Sequence, residues 1–171
     1  MARPGAVPRV WAQSDAETRA TSEHHDALRM WLRMLATTNL VKARVRQLLQ
    51  ERFSTTLPRF DLMAQLERAP EGLKMGELSR RMMVTGGNVT GITDLLEREG
   101  LVSRIGDPDD RRALRVRLTA PGRKAFRAMA EAHERWIIGA FAALNRDELS
   151  RLAKLLGRIK THVKAAEETD T

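Results

Sequence analysis

The sequence predicts a mainly α-helical protein carrying one small β-hairpin. Three observations point there. Apolar residues recur at three- and four-residue spacing through six separate segments. One stretch alone, residues 113–119, alternates strictly, with Leu114, Val116 and Leu118 separated by Arg115 and Arg117. The chain of 171 residues is 42% hydrophobic, which is enough for one core and too apolar for general disorder.

The elements follow in order. Pro4, Gly5 and Pro8 predict a flexible tail over residues 1–22. Residues 24–50 read as one long helix: Leu28, Trp31, Leu32 and Leu35 are followed by Val41, Val45, Leu48 and Leu49. At 1.5 Å per residue that is about 40 Å, long for a small domain and suited to spanning a core and a partner subunit. Thr55, Thr56 and Pro58 open a second helix over 57–69, with Phe60, Leu62, Met63 and Leu66 inward and Pro70 and Gly72 ending it. A short helix over 75–81 carries Leu78. The run Thr85-Gly86-Gly87-Asn88 is a turn that starts the next helix, which runs to Glu99 with Val89, Ile92, Leu95 and Leu96 inward and Gly100 as its stop.

Residues 101–105 and 113–119 are read as paired strands around the charged turn GDPDDRR. After Pro121 and Gly122, a long helix is predicted over 123–143. The last starts at Asn145 and has Leu149, Leu152, Leu155, Leu156, Ile159 and Val163 as its apolar stripe, before a polar tail over 166–171.

Charge narrows the function. Thirty Lys and Arg against 22 Asp and Glu leave +8, which favours nucleic acid, an anionic membrane surface or phosphorylated ligands. The absence of cysteine excludes disulfides, thiol catalysis, cysteine redox sensing and Cys-based zinc sites. His24 and His25 are adjacent and so point about 100° apart on a helix. His133 and His162 are isolated, and no metal site is expected. No apolar run reaches the ~18–20 residues of a membrane span, and no signal-peptide pattern opens the chain. A protein without membrane association, working in the cytoplasm, is expected. There is no Gly-rich phosphate loop, no GxSxG elbow and no Ser/His/Asp constellation, so no enzyme is expected.

The order helix, short helix, turn, helix, strand, loop, strand over residues 55–122 is a winged helix-turn-helix. Its second helix enters the major groove. Helical projection puts Gly87, Thr90, Gly91 and Asp94 opposite the core stripe, with Asn88 and Thr93 at the margins. Small hydrogen-bonding residues there permit close approach to base edges. Thr85, Gly87, Asn88, Thr90 and Thr93 are therefore candidate DNA contacts, and so are Arg104, Asp110, Arg111 and Arg112 on the hairpin. Arginines at a wing tip suit a minor groove, and Asp110 can hold one guanidinium in a fixed direction. Taken alone, such an Asp/Arg cluster in an exposed hairpin is more often a set of solvated ion pairs worth ~0–1 kcal/mol.

The stretch ELSRRMMVTGGNVTGITDLLEREGLVSRIGDPDDRRALRVRLTAPGRKAF resembles the winged-helix core of the MarR family of bacterial transcription regulators. GELSRRM precedes the turn, NVTGITDLLEREGLV forms the recognition helix, DPDDRR lies in the wing and LTAPGRKAF opens the following helix. The resemblance implies a homodimer joined through helices in residues 23–54 and 123–165, meeting palindromic double-stranded DNA with half-sites about one turn apart. Gly91 departs from the pattern, since many relatives carry arginine there. That shifts the work onto Asn88, Thr90 and the wing.

The first part of the chain looks like repressors of hydroxycinnamate and related aromatic-acid catabolism. That likeness implies release from DNA by an aryl-CoA thioester such as p-coumaroyl-CoA, or else by a free phenolic compound. Trp31, Met34, Leu35, Phe60 and Met63 are the candidate apolar lining of an effector slot, with Thr38 and Asn39 as its polar contacts. A stripe of that kind is also what a plain helical core needs. A winged helix serving protein interaction, or binding DNA without sequence preference, is the alternative from another class.

Overall fold

The structure, a computed structural model, describes residues 22–108, 110 and 113–169. The tail expected over residues 1–22 therefore lies almost wholly outside the described residues. Helix α1 spans Ser22–Phe53, α2 Leu57–Glu67 and α3 Met75–Met82, with a two-residue strand β1, Leu73–Lys74, ahead of α3. Then come α4, Gly86–Arg98; strands β2, Val102–Gly106, and β3, Leu114–Leu118; α5, Ala120–Ala140; and α6, Arg146–Thr169. The chain divides into two compact units, Met1–Arg44 and Val45–Thr171.

The core of the second unit is made by Val45, Leu48 and Leu49 of α1, Phe60, Leu62, Met63 and Leu66 of α2, and Leu78, Val89 and Leu96 of α3 and α4. Val102, Val116 and Leu118 close it from the sheet, and Met129 and Ala132 from α5. Aromatic contacts tie the helices together. Phe53 meets Trp136 edge-on at 6.3 Å, and Phe60 stacks on Phe126 at 5.5 Å. In the first unit, Met30, Trp31, Leu32, Leu35 and Leu40 are exposed on α1.

The hairpin expected from the alternation is present, but it belongs to a three-stranded antiparallel sheet of order β1-β3-β2. Leu73 pairs with Val116, and Val102 and Arg104 pair with Leu118 and Val116. Two residues are too short to show a period, so β1 left no signal of its own. Leu114 is a correction: it is exposed, because the hairpin extends past the core and its cross-strand partner there is Gly106, which has no side chain.

Helix α5 starts three residues earlier than expected. Thr119 is its N-cap, its hydroxyl accepting from the Gly122 N–H at 3.0 Å, with Pro121 in the first turn. The Thr119 hydroxyl also donates to Gly100 O at 2.6 Å, so the cap binds helix to loop. Asn145 and Glu148 form a reciprocal capping box at α6: Asn145 Oδ1 accepts from the Glu148 N–H at 3.0 Å, and Glu148 accepts from the Asn145 N–H at 2.8 Å. Helix α6 continues to Thr169, through most of the stretch expected as a polar tail. Ala165, Ala166, Glu167 and Glu168 are good helix formers and carry it on.

Candidate nucleic-acid interface

Helices α3 and α4 are joined by a tight turn. The Met83 N–H donates to Arg80 O and the Val84 N–H to Ser79 O, both at 3.2 Å, and the Ser79 hydroxyl donates to Val84 O at 2.5 Å. Thr85 is then the N-cap of α4, with extended backbone and no capping bond from its side chain. The inward stripe of α4 is Val89, Thr93 and Leu96 at i, i+4 and i+7. Leu95, expected inward, is exposed.

Thr93 is a correction. Expected at the margin of the DNA face, it is fully buried, and its hydroxyl donates to Val89 O at 2.8 Å. A threonine bonded back onto its own helix satisfies its polar group and serves as an apolar methyl, so it takes a core place that projection gave to Leu95.

The outward face of α4 holds Thr85, Gly86, Gly87, Asn88, Thr90 and Gly91, all exposed. Thr90 donates its hydroxyl to Gly86 O at 3.0 Å, which leaves the oxygen lone pairs and the methyl group for an outside partner. A Cβ added at Gly86, Gly87 or Gly91 would meet nothing within 4 Å. Each glycine inside a helix costs about 1 kcal/mol against alanine, and no internal contact here requires the missing side chain. The face is thin, with open space where side chains would stand.

Arg104 sits where β2 passes α4. Its side chain bonds Asp94 and Glu97 together, and its backbone N–H donates to Glu97 Oε1 at 3.1 Å. The Asp94 hydrogen bond, first, and the charge of Glu97 hold the guanidinium above its ordinary range against the opposing effect of burial. In this arrangement Arg104, a candidate DNA contact, is engaged in neutralising two acids of α4.

The wing is anchored at its base by Asp107, whose side chain has no exposed surface. It accepts from Arg115 Nε at 2.6 Å, from the Asp110 N–H at 3.0 Å, and lies 3.2 Å from Lys74 Nζ. The Asp107 N–H donates to Ala113 O at 3.0 Å, and the Ala113 N–H to Asp110 O at 2.9 Å. Asp110 is thus part of the loop's backbone scaffold. Arg111 and Arg112 lie outside the described residues. Lys74 and Asp107 were missed by sequence reasoning, since 33 positions separate them and no local pattern links the two.

The expected effector residues are divided. Phe60 and Met63 are buried in the core of the second unit, where Phe126 and His133 cover the Phe60 ring at 5.5 and 4.9 Å, so neither presents a free face to a slot. Trp31, Leu35, Thr38 and Asn39 are exposed on α1 and Met34 is half-buried. Burial lowers the pKa of His133 below its ordinary 6.5, with Asp61 opposing. Among the described residues there is no cluster of three His, Asp or Glu able to hold a metal ion, and no helix long and apolar enough to cross a membrane.

The geometry defines a winged helix-turn-helix. The MarR family model matches residues 55–114 of it. The chain is 34% identical over 95 residues to the HTH-type transcriptional regulator YkoM of Bacillus subtilis, a stretch covering 56% of this chain and 60% of that relative. It therefore spans under two thirds of that relative's length. A MarR family regulator from Silicibacter pomeroyi superposes with TM-score 0.72 at 29% identity, covering 84% of this chain and 99% of the other. Sco3205, a MarR family regulator from Streptomyces coelicolor solved in complex with DNA, superposes with TM-score 0.71 at 21% identity, covering 83% and 89%. The fold is that of these MarR family structures.

Proposed function

We propose that the chain is a homodimeric, ligand-responsive, sequence-specific DNA-binding repressor of the MarR type, with no enzymatic activity of its own. The observation that carries the reading is the outward face of α4, where Thr85, Asn88 and Thr90 stand among glycines that nothing within the protein requires. Asn88 suits adenine, and the Thr90 methyl suits thymine. Sco3205, of the same fold, was solved on DNA.

Dimerisation accounts for α6. Leu149, Leu152, Leu155, Leu156, Ile159 and Val163 recur on one stripe and are all exposed on the single chain. A stripe of that kind is covered by a like helix of a second copy. The wing, whose loop sequence carries Arg111 and Arg112, is assigned to the minor groove beside each half-site.

The effector is proposed to be an aryl-CoA thioester of the p-coumaroyl-CoA kind, so that the regulated chemistry is aromatic-acid breakdown in the bacterial cytoplasm. Trp31 and Asn39 offer an aromatic face and a hydrogen-bonding group on an exposed helix, and the +8 charge suits the CoA phosphates. Release follows if the effector binds the DNA-incompetent arrangement of the dimer more tightly.

The test is to titrate p-coumaroyl-CoA and free p-coumarate separately into the protein–operator complex. Release by the thioester alone supports the reading. Release by the free acid makes the protein a phenol sensor, and no release by either discards this effector class. In the same assay Asn39→Ala should blunt release and leave DNA affinity intact.

A further inference from the structure

Met83 occupies a position the fold would assign to another residue. It follows α3 with φ 54° and ψ 43°, in the left-handed region. Glycine enters that region freely and asparagine tolerates it, whereas a long L side chain is disfavoured there. The turn bonds through Arg80, Ser79 and Val84 hold the backbone in place. The side chain gains nothing in return, for it is 93% exposed, more than any other large apolar residue described. Ser54 also has positive φ, at 50°, but it is short and polar. At Met83 backbone preference and burial are violated together. Violations without an internal gain mark side chains that act on something outside the chain.

The surroundings indicate what that partner is. Met83, Val84, Thr85, Asn88, Ser79 and Arg80 line one open depression at the amino end of α4. Its edges are a guanidinium, hydroxyls and an amide, suited to phosphate and base edges. Met83 supplies a flexible, polarisable apolar body beside them. A protein partner would be drawn to an apolar patch, whereas this thioether is flanked by groups that solvate an anion. The apolar group that duplex DNA presents in the major groove is the C5-methyl of thymine.

Resting on the reading of α4 as the DNA-reading helix, we propose that Met83 is a specificity residue of the DNA interface. Its thioether packs on the methyl group of a thymine next to the base pair met by Asn88. The chain thus recognises a T through the helix-turn-helix turn itself, ahead of the recognition helix.

The experiment couples a protein change to a DNA change. An operator is selected from random duplexes with the wild-type protein, and each thymine is then replaced by deoxyuridine, which removes only the methyl. Wild type should lose about fourfold in affinity at one thymine per half-site, the equivalent of one buried methyl group. Met83→Gly should bind more weakly than wild type and be indifferent to that replacement. Its thermal midpoint should be equal or higher, since glycine fits the left-handed backbone. A motif at which no uridine replacement separates the two proteins overturns the assignment of Met83 alone, as does a lowered midpoint with unchanged affinity. Failure of the selection to enrich any motif overturns the reading of α4, and Met83 with it.

Discussion

Arg115 donates its Nε–H to Asp107 at 2.6 Å, and Asp107 is fully buried where the wing leaves the sheet. The same carboxylate faces Lys74, the residue immediately before α3, at 3.2 Å. One acid therefore joins both strands of the hairpin to the strand that leads into the helix-turn-helix, so wing and helices are oriented as one piece. The charged turn GDPDDRR thus carries a structural anchor, Asp107, near its start.

Asp107→Ala leaves Arg115 and Lys74 facing a small apolar pocket. Losing one partner of a fully buried ion pair costs ~3–5 kcal/mol. Both cations here are partly exposed and can regain water, so about 2 kcal/mol is expected in urea unfolding. Operator affinity should fall at least several-fold as the wing loses its fixed direction. Full affinity in a folded variant would disconnect Asp107 from DNA binding.

Gly122 is required by close approach. A Cβ there would stand 1.8 Å from Leu101 O, a backbone atom that cannot rotate away. Gly122→Ala must push α5 off the start of the hairpin, at about 3 kcal/mol or more. Denaturant titration measures the loss; a change below 1 kcal/mol would mean that the contact yields more easily than the packing indicates.

Gly91→Ala should act in the opposite direction. With open space around it, the alanine gains about 0.5–1 kcal/mol of helix stability. The added methyl stands on the face proposed to approach DNA, so operator affinity should drop while the thermal midpoint rises. Midpoint and affinity rising together would remove Gly91 from the interface.

His133 makes stability depend on pH. Burial among Phe60 and its neighbours, with Asp61 opposing, lowers its pKa below 6.5 in the folded protein. The unfolded chain then takes up a proton first as the pH falls, so this contribution is complete above 6.5 and is lost as pH drops through the folded pKa. Unfolding midpoints measured from pH 7.5 to 5 should decline, and His133→Gln should decline less. An identical decline in both proteins would place the proton uptake elsewhere.

The sequence carried the element order because helical periods here are long and the one alternating segment is flanked by turn residues. Pro121 and Gly122 likewise marked the approach of α5, although the helix begins at Ala120, ahead of both, with Thr119 as the cap that the strand reading had absorbed. Three things were hidden for physical reasons. β1 is too short to have a period, and Thr93 looks polar until its hydroxyl is seen returned to Val89 O. The role of Asp107 depends on Lys74, brought near only by the sheet. Within the site, Thr85, Asn88 and Thr90 were legible as outward residues of a helix. Met83 was not, because its significance lies in a backbone angle.

The most direct test of the central claim is fluorescence anisotropy of the full chain on the duplex from immediately upstream of its own gene, against a scrambled duplex of equal length, at two salt concentrations. A sequence-reading winged helix should bind the first by at least about 10³-fold more tightly than the second, with the preference persisting as salt weakens both. Equal binding to both duplexes, with the same salt slope, would contradict the account and leave a basic protein that holds DNA without reading it.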